Sequence, residues 1–446
     1  MIEMTEEYLR MADPARITQK ITVTPEPLVG LSDLHPVAAA YQLRSQLTKL
    51  YLPTEFVVGL ISELLVHSSL LFSDRYSNER SYAQHVYTPF ESGVVPLCLT
   101  GLAGIGKSRA LIAIRDYMPG PGTHFSNLMH GEIKNQSHLY ASANAKDSAR
   151  QVIEDLCISL DIEVSKQVNA AKLLSVCRRQ ASISRVTHIF IDEMQFFTKG
   201  NSTDSLAKLL LSVASIGIPT LYLCNFSLLH KLFTRNSEDR HRLLSQPKIM
   251  TPDLPDSRDW RLYILACDRA LGGVFKGSNE VLVRAIYDFT FGIKRFVVEL
   301  ITLSYLIARS LNSERLTLDM FRQAYFSVEY TAFRQDVMLL NRQAIENKAS
   351  RRDLWCPFEL PPGYKTRAAE IATESRNRKF SMETLKSALS MSERKALNEH
   401  FPSKRAPIDS KQTLKSREAV SSDDAGLIDA LNLYSEILSR PRRNIK

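Results

Sequence analysis

Gly101, Leu102, Ala103, Gly104, Ile105, Gly106, Lys107, Ser108 and Arg109 stand between the apolar run "VVPLCLT" and the helix-like "ALIAIRDY". The pattern G-x-x-x-x-G-K-[ST] between a strand and a helix makes a phosphate-holding loop. Its backbone N–H groups and the helix N-terminus favour negative charge. In such a loop Lys107 reaches the β and γ phosphates of ATP, and Ser108 is placed to ligate Mg²⁺. The metal needs a second acidic element, and "THIFIDEMQFF" at 187–197 supplies Asp192 and Glu193 at the end of an apolar strand. Asp192 is expected to hold Mg²⁺ through water. Glu193 is expected to polarise the attacking water, because phosphoryl transfer needs an oriented nucleophile beside a metal-neutralised phosphate. An adjacent acidic pair favours hydrolysis over binding alone.

Three further groups extend this site. "TLYLCN" ends in Asn225 at the same edge of the sheet, where a polar side chain can sense the γ-phosphate or the water; Asn also ends buried strands as ordinary turn chemistry. "RNSEDRHRLL" carries Arg235, Arg240 and Arg242, and an arginine here can act in trans on a neighbour's nucleotide or simply line a solvated helix face. "TFGIKRFVVEL" places Gly292, Lys294 and Arg295 at a helix start. Delivered from a second domain onto the γ-phosphate, Arg295 would couple nucleotide state to domain angle; otherwise it is a cation set against its own helix dipole.

The elements that must position these residues follow from periodicity. Strands at 94–100, about 137–142, 187–191 and 219–224 alternate with helices at 107–117, 146–160, 170–182 and 203–215, with "PKIMTP" as a last strand. Short apolar runs alternating with amphipathic helices predict an α/β fold, a parallel sheet covered on both faces. Residues 257–330 carry helix patterns only. The expected organisation is N-terminal extension and helices over 1–90, a nucleotide-binding α/β domain over 91–254, a helical lid over 255–335 and a basic C-terminal tail over 336–446. Residues 1 to about 34 are proline-containing and read as an extended lead-in, with two helices joined at Pro53 over 36–73, then the polar stretch "SDRYSNERSYAQHVYTPFESG". Short helices are expected at 381–400 and 424–438.

Charge is unevenly placed. The net charge is +9, and 21 Lys/Arg against 14 Asp/Glu from Asn341 onward put +7 of it in the last quarter. That excess favours a polyanionic partner such as double-stranded DNA. Lys146 and Arg150, at a helix start, and the tail are candidates for phosphate contact, the tail being equally a candidate for a protein partner. The six cysteines are scattered, with no C-x-x-C pair and no zinc-ligand spacing, and read as reduced buried thiols of a cytoplasmic protein. The N-terminus has no apolar signal core, and the run 56–73 is broken by Glu63 and His67, so no membrane role is expected.

"GLAGIGKS", "IFIDEMQ", "LCN", "EDRHR" and "GIKR", in this order, resemble the AAA+ ATPases over about residues 35–330. Within them, Gln195 after "DEM", "LYLCNFSLLHKL" and the segment before "PKIMTPDLPDSRDW" make the chain similar to the TnsC/TniB transposition regulators. The resemblance implies an ATP-switched ring or helical filament on double-stranded DNA that links a target-selector protein to transposase subunits and comes apart on hydrolysis. A replication initiator or helicase loader is the alternative within DNA metabolism, with a signalling or antiphage NTPase a third reading; the tail shows neither a helix-turn-helix nor an effector domain.

Overall fold

Burial on both faces is what the central strands are built for, and their sequences show it. In the computed structural model, β1 (Leu97–Gly101), β5 (His188–Asp192) and β6 (Thr220–Cys224) are buried at every position and carry no polar alternation. They form a five-stranded parallel sheet with β4 (His138–Ser142) and β7 (Gln246–Met250), in the order β4-β5-β6-β1-β7. β7 is an edge strand, which is where Pro247 costs no ladder hydrogen bond. The structure describes residues 2–388 apart from 88–93, 127–130, 145, 147, 166, 198–201 and 278.

The helices begin where short polar side chains satisfy the first free amides. Ahead of the sheet come α1 (Ile2–Met11), α2 (Pro14–Ile21), α3 (Pro36–Lys49), α4 (Glu55–Tyr76) and α5 (Glu79–Tyr87). Between the strands lie α6 (Lys107–Tyr117), α7 (Ala149–Ile158), α8 (Ala170–Ile183), α9 (Met194–Phe197), α10 (Thr203–Ala214), α11 (Phe226–Phe233) and α12 (Ser237–Leu244). Ser148, Asn169, Ser202, Asn225 and Asn236 cap α7, α8, α10, α11 and α12. After β7 follow α13 (Arg258–Ala270), α14 (Asn279–Thr290), α15 (Lys294–Ser310), α16 (Leu318–Phe326), α17 (Thr331–Glu346) and α18 (Pro362–Ala388). The described elements belong to one compact unit, Met1–Ser387.

Four stretches differ from the sequence reading. The lead-in is helical over α1 and α2: Tyr8, Ala12, Ile17 and Ile21 form an apolar face buried against α4 and α6, and Asp13 caps α2 with Pro14 at its first position. The polar stretch after α4 forms α5, anchored by buried Tyr82, whose hydroxyl donates to the Ile183 carbonyl 2.9 Å away. An antiparallel pair, β2 (Gly122–Ser126) and β3 (Gly131–Asn135), lies outside the main sheet. Residues 336–388, assigned by their charge to the tail, are folded. Gln343 holds the segment after α17 through the Leu354 carbonyl (3.2 Å) and the Ser350 and Arg351 amides (2.8 and 3.0 Å), and α18 is tied back by Arg284–Glu374 and Arg367–Asp256 pairs. Of the helix expected over 381–400, residues 381–388 belong to the end of α18; the rest of it, and the helix expected over 424–438, lie outside the described residues.

α4 is long and apolar enough to cross a membrane by length and composition alone. In the fold it buries Val57, Leu60, Ile61, Leu64, Leu65 and Phe72 among α1, α2, α5 and the sheet, which accounts for its apolar content.

Candidate nucleotide site

The carboxyl ends of β1, β5 and β6 open into one cavity of about 880 Å³. Among its lining residues are Ala103 to Arg109, Asp192, Glu193, Asn225 and Arg295, groups spread over positions 103 to 295 of the sequence. β6 stands between β1 and β5, so Asn225 projects from the strand separating the loop from the acidic pair. This is the ligand crevice of an open parallel sheet.

Gly104 and Gly106 take left-handed φ values of +82° and +119°, open to glycine at little cost. Gly101 is required by contact: a Cβ there would meet the Met250 carbonyl oxygen at 2.6 Å. Lys107 donates to the carbonyls of Gly101 (2.8 Å) and Leu102 (2.9 Å), folding its ammonium back over the loop. Burial pushes its pKa down to about 8, against the opposing pull of Cys224, Asp192 and Glu193. An anion in the loop would raise it again.

Ser108 donates to Asp192 Oδ1 at 3.3 Å, and the Glu193 amide donates to the same oxygen at 2.7 Å. A hydroxyl and a carboxylate converging on one cavity are hard oxygen donors of the kind Mg²⁺ prefers, so the residues fit the metal. Burial raises the pKa of both acids, and for Glu193 the neighbouring Asp192 adds to the shift. Glu193 has a φ of +60°, a left-handed conformation that costs a non-glycine residue roughly 1–3 kcal/mol.

Asn225 caps α11, its Oδ1 accepting the Leu228 amide at 3.1 Å, and its side chain also lines the cavity. The cap is the turn chemistry read in the sequence, and the same position borders the cavity. Arg295 reaches the loop from α15: its amide donates to the Gly104 carbonyl at 3.1 Å, and a Cβ on Gly104 would come within 2.8 Å of the Arg295 Cβ. Lys294 turns instead to Asp253, 3.4 Å away, and to the Tyr263 ring. Gly292 has a φ of +71°, and its missing Cβ leaves room for the Asp253 carbonyl, which would lie 2.5 Å away.

The structure does not bring Arg235, Arg240 or Arg242 to the cavity. Arg235 is held by Asp239 and Asp204, Arg242 pairs with Glu238 at 2.9 Å on the exposed surface, and half-buried Arg240 is not among the lining residues. The candidate DNA cations are likewise engaged: Lys146 pairs with Asp155 at 2.9 Å, and Arg150 with Glu154 at 2.6 Å and the Ser165 carbonyl at 3.0 Å.

Sequence reasoning left out the wall opposite the loop. Arg44, Leu50, Tyr51 and Thr54, from α3 and the turn into α4, line the cavity, with Arg109 spanning to the Lys49 carbonyl at 3.1 Å. No motif marks them; the backbone bridge Val23–Tyr51 places the turn. Gln195, noted in the sequence as a family mark only, donates from Nε2 to Glu193 Oε2 at 3.1 Å.

Residues 95–232 match the family model described as AAA domain. No curated protein matches the chain. Solved structures of similar fold include Cdc6p from Pyrobaculum aerophilum, with 13% identity over 74% of this chain and 83% of that one, at a TM-score of 0.42. Drosophila ORC bound to DNA shares 15% over 81% and 92%, with a TM-score of 0.42, and the Thermotoga maritima RuvB Holliday junction branch migration motor 14% over 63% and 75%, with a TM-score of 0.32. With a phosphate loop, an acidic pair and this sheet order in one place, residues 95–232 are the AAA-type ATPase domain of this chain.

Proposed function

We propose that the chain is an ATP-switched assembly factor that works on double-stranded DNA, its nucleotide shared between neighbouring copies. The observation that carries this is the division of the site. One copy gathers the loop, Asp192, Glu193, Asn225 and Arg295 around the cavity, while Arg240 and Arg242 lie outside it on α12. A transition state that spreads charge over the γ-phosphate oxygens gains most from a guanidinium, and on this reading α12 supplies one to another copy.

The residues divide the chemistry among themselves. The loop amides and Lys107 bind and orient the phosphates; Ser108 and Asp192 would hold Mg²⁺, which neutralises phosphate charge when bound. Glu193 orients the attacking water. Arg295, seated on the loop from α15, moves with whatever displaces Gly104, so α13–α16 would serve as a lid that reports nucleotide state to the rest of the chain.

The finer identity is a regulator of DNA transposition that links a target selector to the transposase. It is supported by the motif set ending in "GIKR", Gln195 and the leading helices. The second reading is a replication initiator or helicase loader. It would use the same nucleotide chemistry, with a replicative helicase in place of the transposase as partner. Pull-down with the two partner classes separates them: transposase retained in the presence of ATP and DNA favours the first, a replicative helicase the second.

The shared site is tested by mixing. Arg240→Ala or Arg242→Ala should lose turnover alone and regain it when combined with Lys107→Ala, since one interface then has a working loop and an intact arginine. Failure of every mixture to recover activity contradicts the shared site.

A further inference from the structure

Glu193 cannot orient water unless its own carboxylate is held, and its backbone makes that harder. At a φ of +60° the side chain leaves the strand end in a direction that ordinary strand geometry does not support. Asp192 Oδ1 holds the Glu193 amide but not its carboxylate. The carboxylate is met by Gln195, whose Nε2 donates to Oε2 at 3.1 Å, and both side chains line the cavity. Gln195 lies in the short α9, whose buried neighbours Met194 and Phe197 fix the turn in the core, and the Phe196 amide donates to the Glu193 carbonyl at 2.9 Å. Backbone and side chain of Glu193 are thus clamped by the same turn.

We infer that Gln195 is a positioning residue for ATP hydrolysis, holding Oε2 of Glu193 so that Oε1 is directed at the attacking water. This rests on the reading of Glu193 as the water-orienting group. Among the described residues Oε1 makes no hydrogen bond to protein, so it is the oxygen left for that task. In the step itself the water O–H donates to Oε1 while its oxygen bonds to the γ-phosphorus. The bond from that phosphorus to the β–γ bridging oxygen breaks, and ADP carries away the electron pair. An amide at position 195 suits this arrangement because it donates without competing for the proton, whereas a carboxylate there would repel Glu193.

A double-mutant cycle tests the assignment in the full chain under single-turnover conditions. Gln195→Ala should lower the hydrolysis rate about tenfold while the affinity for a fluorescent ATP analogue changes less than twofold. Gln195→Glu, equal in shape but lacking the donor, should lose at least as much, and it controls for packing. In a Glu193→Gln background neither change should lower the rate further, because Gln195 acts through Glu193. An unchanged rate in both single variants, a loss explained by weaker nucleotide binding, or a full further loss in the Glu193→Gln background overturns the inference. If Glu193→Gln alone leaves turnover intact, the water-orienting reading of Glu193 has failed instead, and the role of Gln195 falls with it.

Discussion

Lys107 is the side chain whose charge the loop governs. In the absence of an anion, burial holds its pKa to about 8, so the free protein loses this proton as the pH rises through that value. The phosphate-bound form needs the ammonium. Nucleotide affinity is therefore full below about pH 8 and falls above it, approaching tenfold per pH unit, with uptake of one proton on binding. Titration of a fluorescent ATP analogue between pH 7 and 9.5 checks this, and an affinity flat across that range contradicts it. At Gly104, Ala meets both a φ of +82° and the Arg295 Cβ at 2.8 Å. Gly104→Ala should move α15 off the loop and weaken nucleotide binding by more than tenfold, a larger effect than Arg295→Ala on binding, because it disturbs the loop itself.

Packing between elements is carried at one place by a strap with no motif. Between α17 and α18, the Trp355 carbonyl meets His230 Nε2 at 2.9 Å, and Phe358 stacks edge-on against Phe233 with ring centroids 4.8 Å apart. Both contacts fall on α11, the helix that Asn225 caps. Phe358→Ala should cost about 2 kcal/mol of stability, less than for a fully buried Phe, read as a lower thermal midpoint. An unchanged midpoint would show the strap is not anchored there. The same strap shows what could be seen in sequence and what could not. The phosphate loop, "IFIDE" and the alternation of short apolar runs with amphipathic helices are local patterns, and the strands and helices they mark are in place. The residues 336–388 were legible only by charge, which says nothing about Gln343 satisfying the strap backbone from within α17. The wall of Arg44 and Tyr51 and the pairing of Gln195 with Glu193 are tertiary contacts, with no spacing rule to expose them.

The molecule as a whole carries buried histidines that set its acid limit. His188, the first residue of β5, is fully buried against α4, with Ser68 Oγ 3.1 Å from its Nδ1, and burial depresses its pKa to about 3. His124 and His138 are shifted the same way, to about 4, burial again being the main cause. The unfolded chain takes up these protons below about pH 6.5 and the folded chain does not, so stability is present above that pH and lost as it falls toward 3. His188 alone contributes a slope of about 1.4 kcal/mol per pH unit in this window. Thermal midpoints should drop between pH 7 and 5, and His188→Asn should flatten that drop.

On the proposed function, contact with DNA belongs to the whole assembly. Lys146 and Arg150 are spent on Asp155 and Glu154, and most of the net charge of +9 lies beyond Asn341. Duplex binding by backbone contact should weaken steeply with salt, by about 0.9 in log–log slope per phosphate neutralised. Control of assembly by nucleotide state is tested most directly by electron microscopy of Glu193→Gln with ATP and duplex DNA. Ordered rings or filaments on DNA with ATP, absent with ADP or with Lys107→Ala, are the predicted result; particles of one copy in every nucleotide state, with or without DNA, would contradict it.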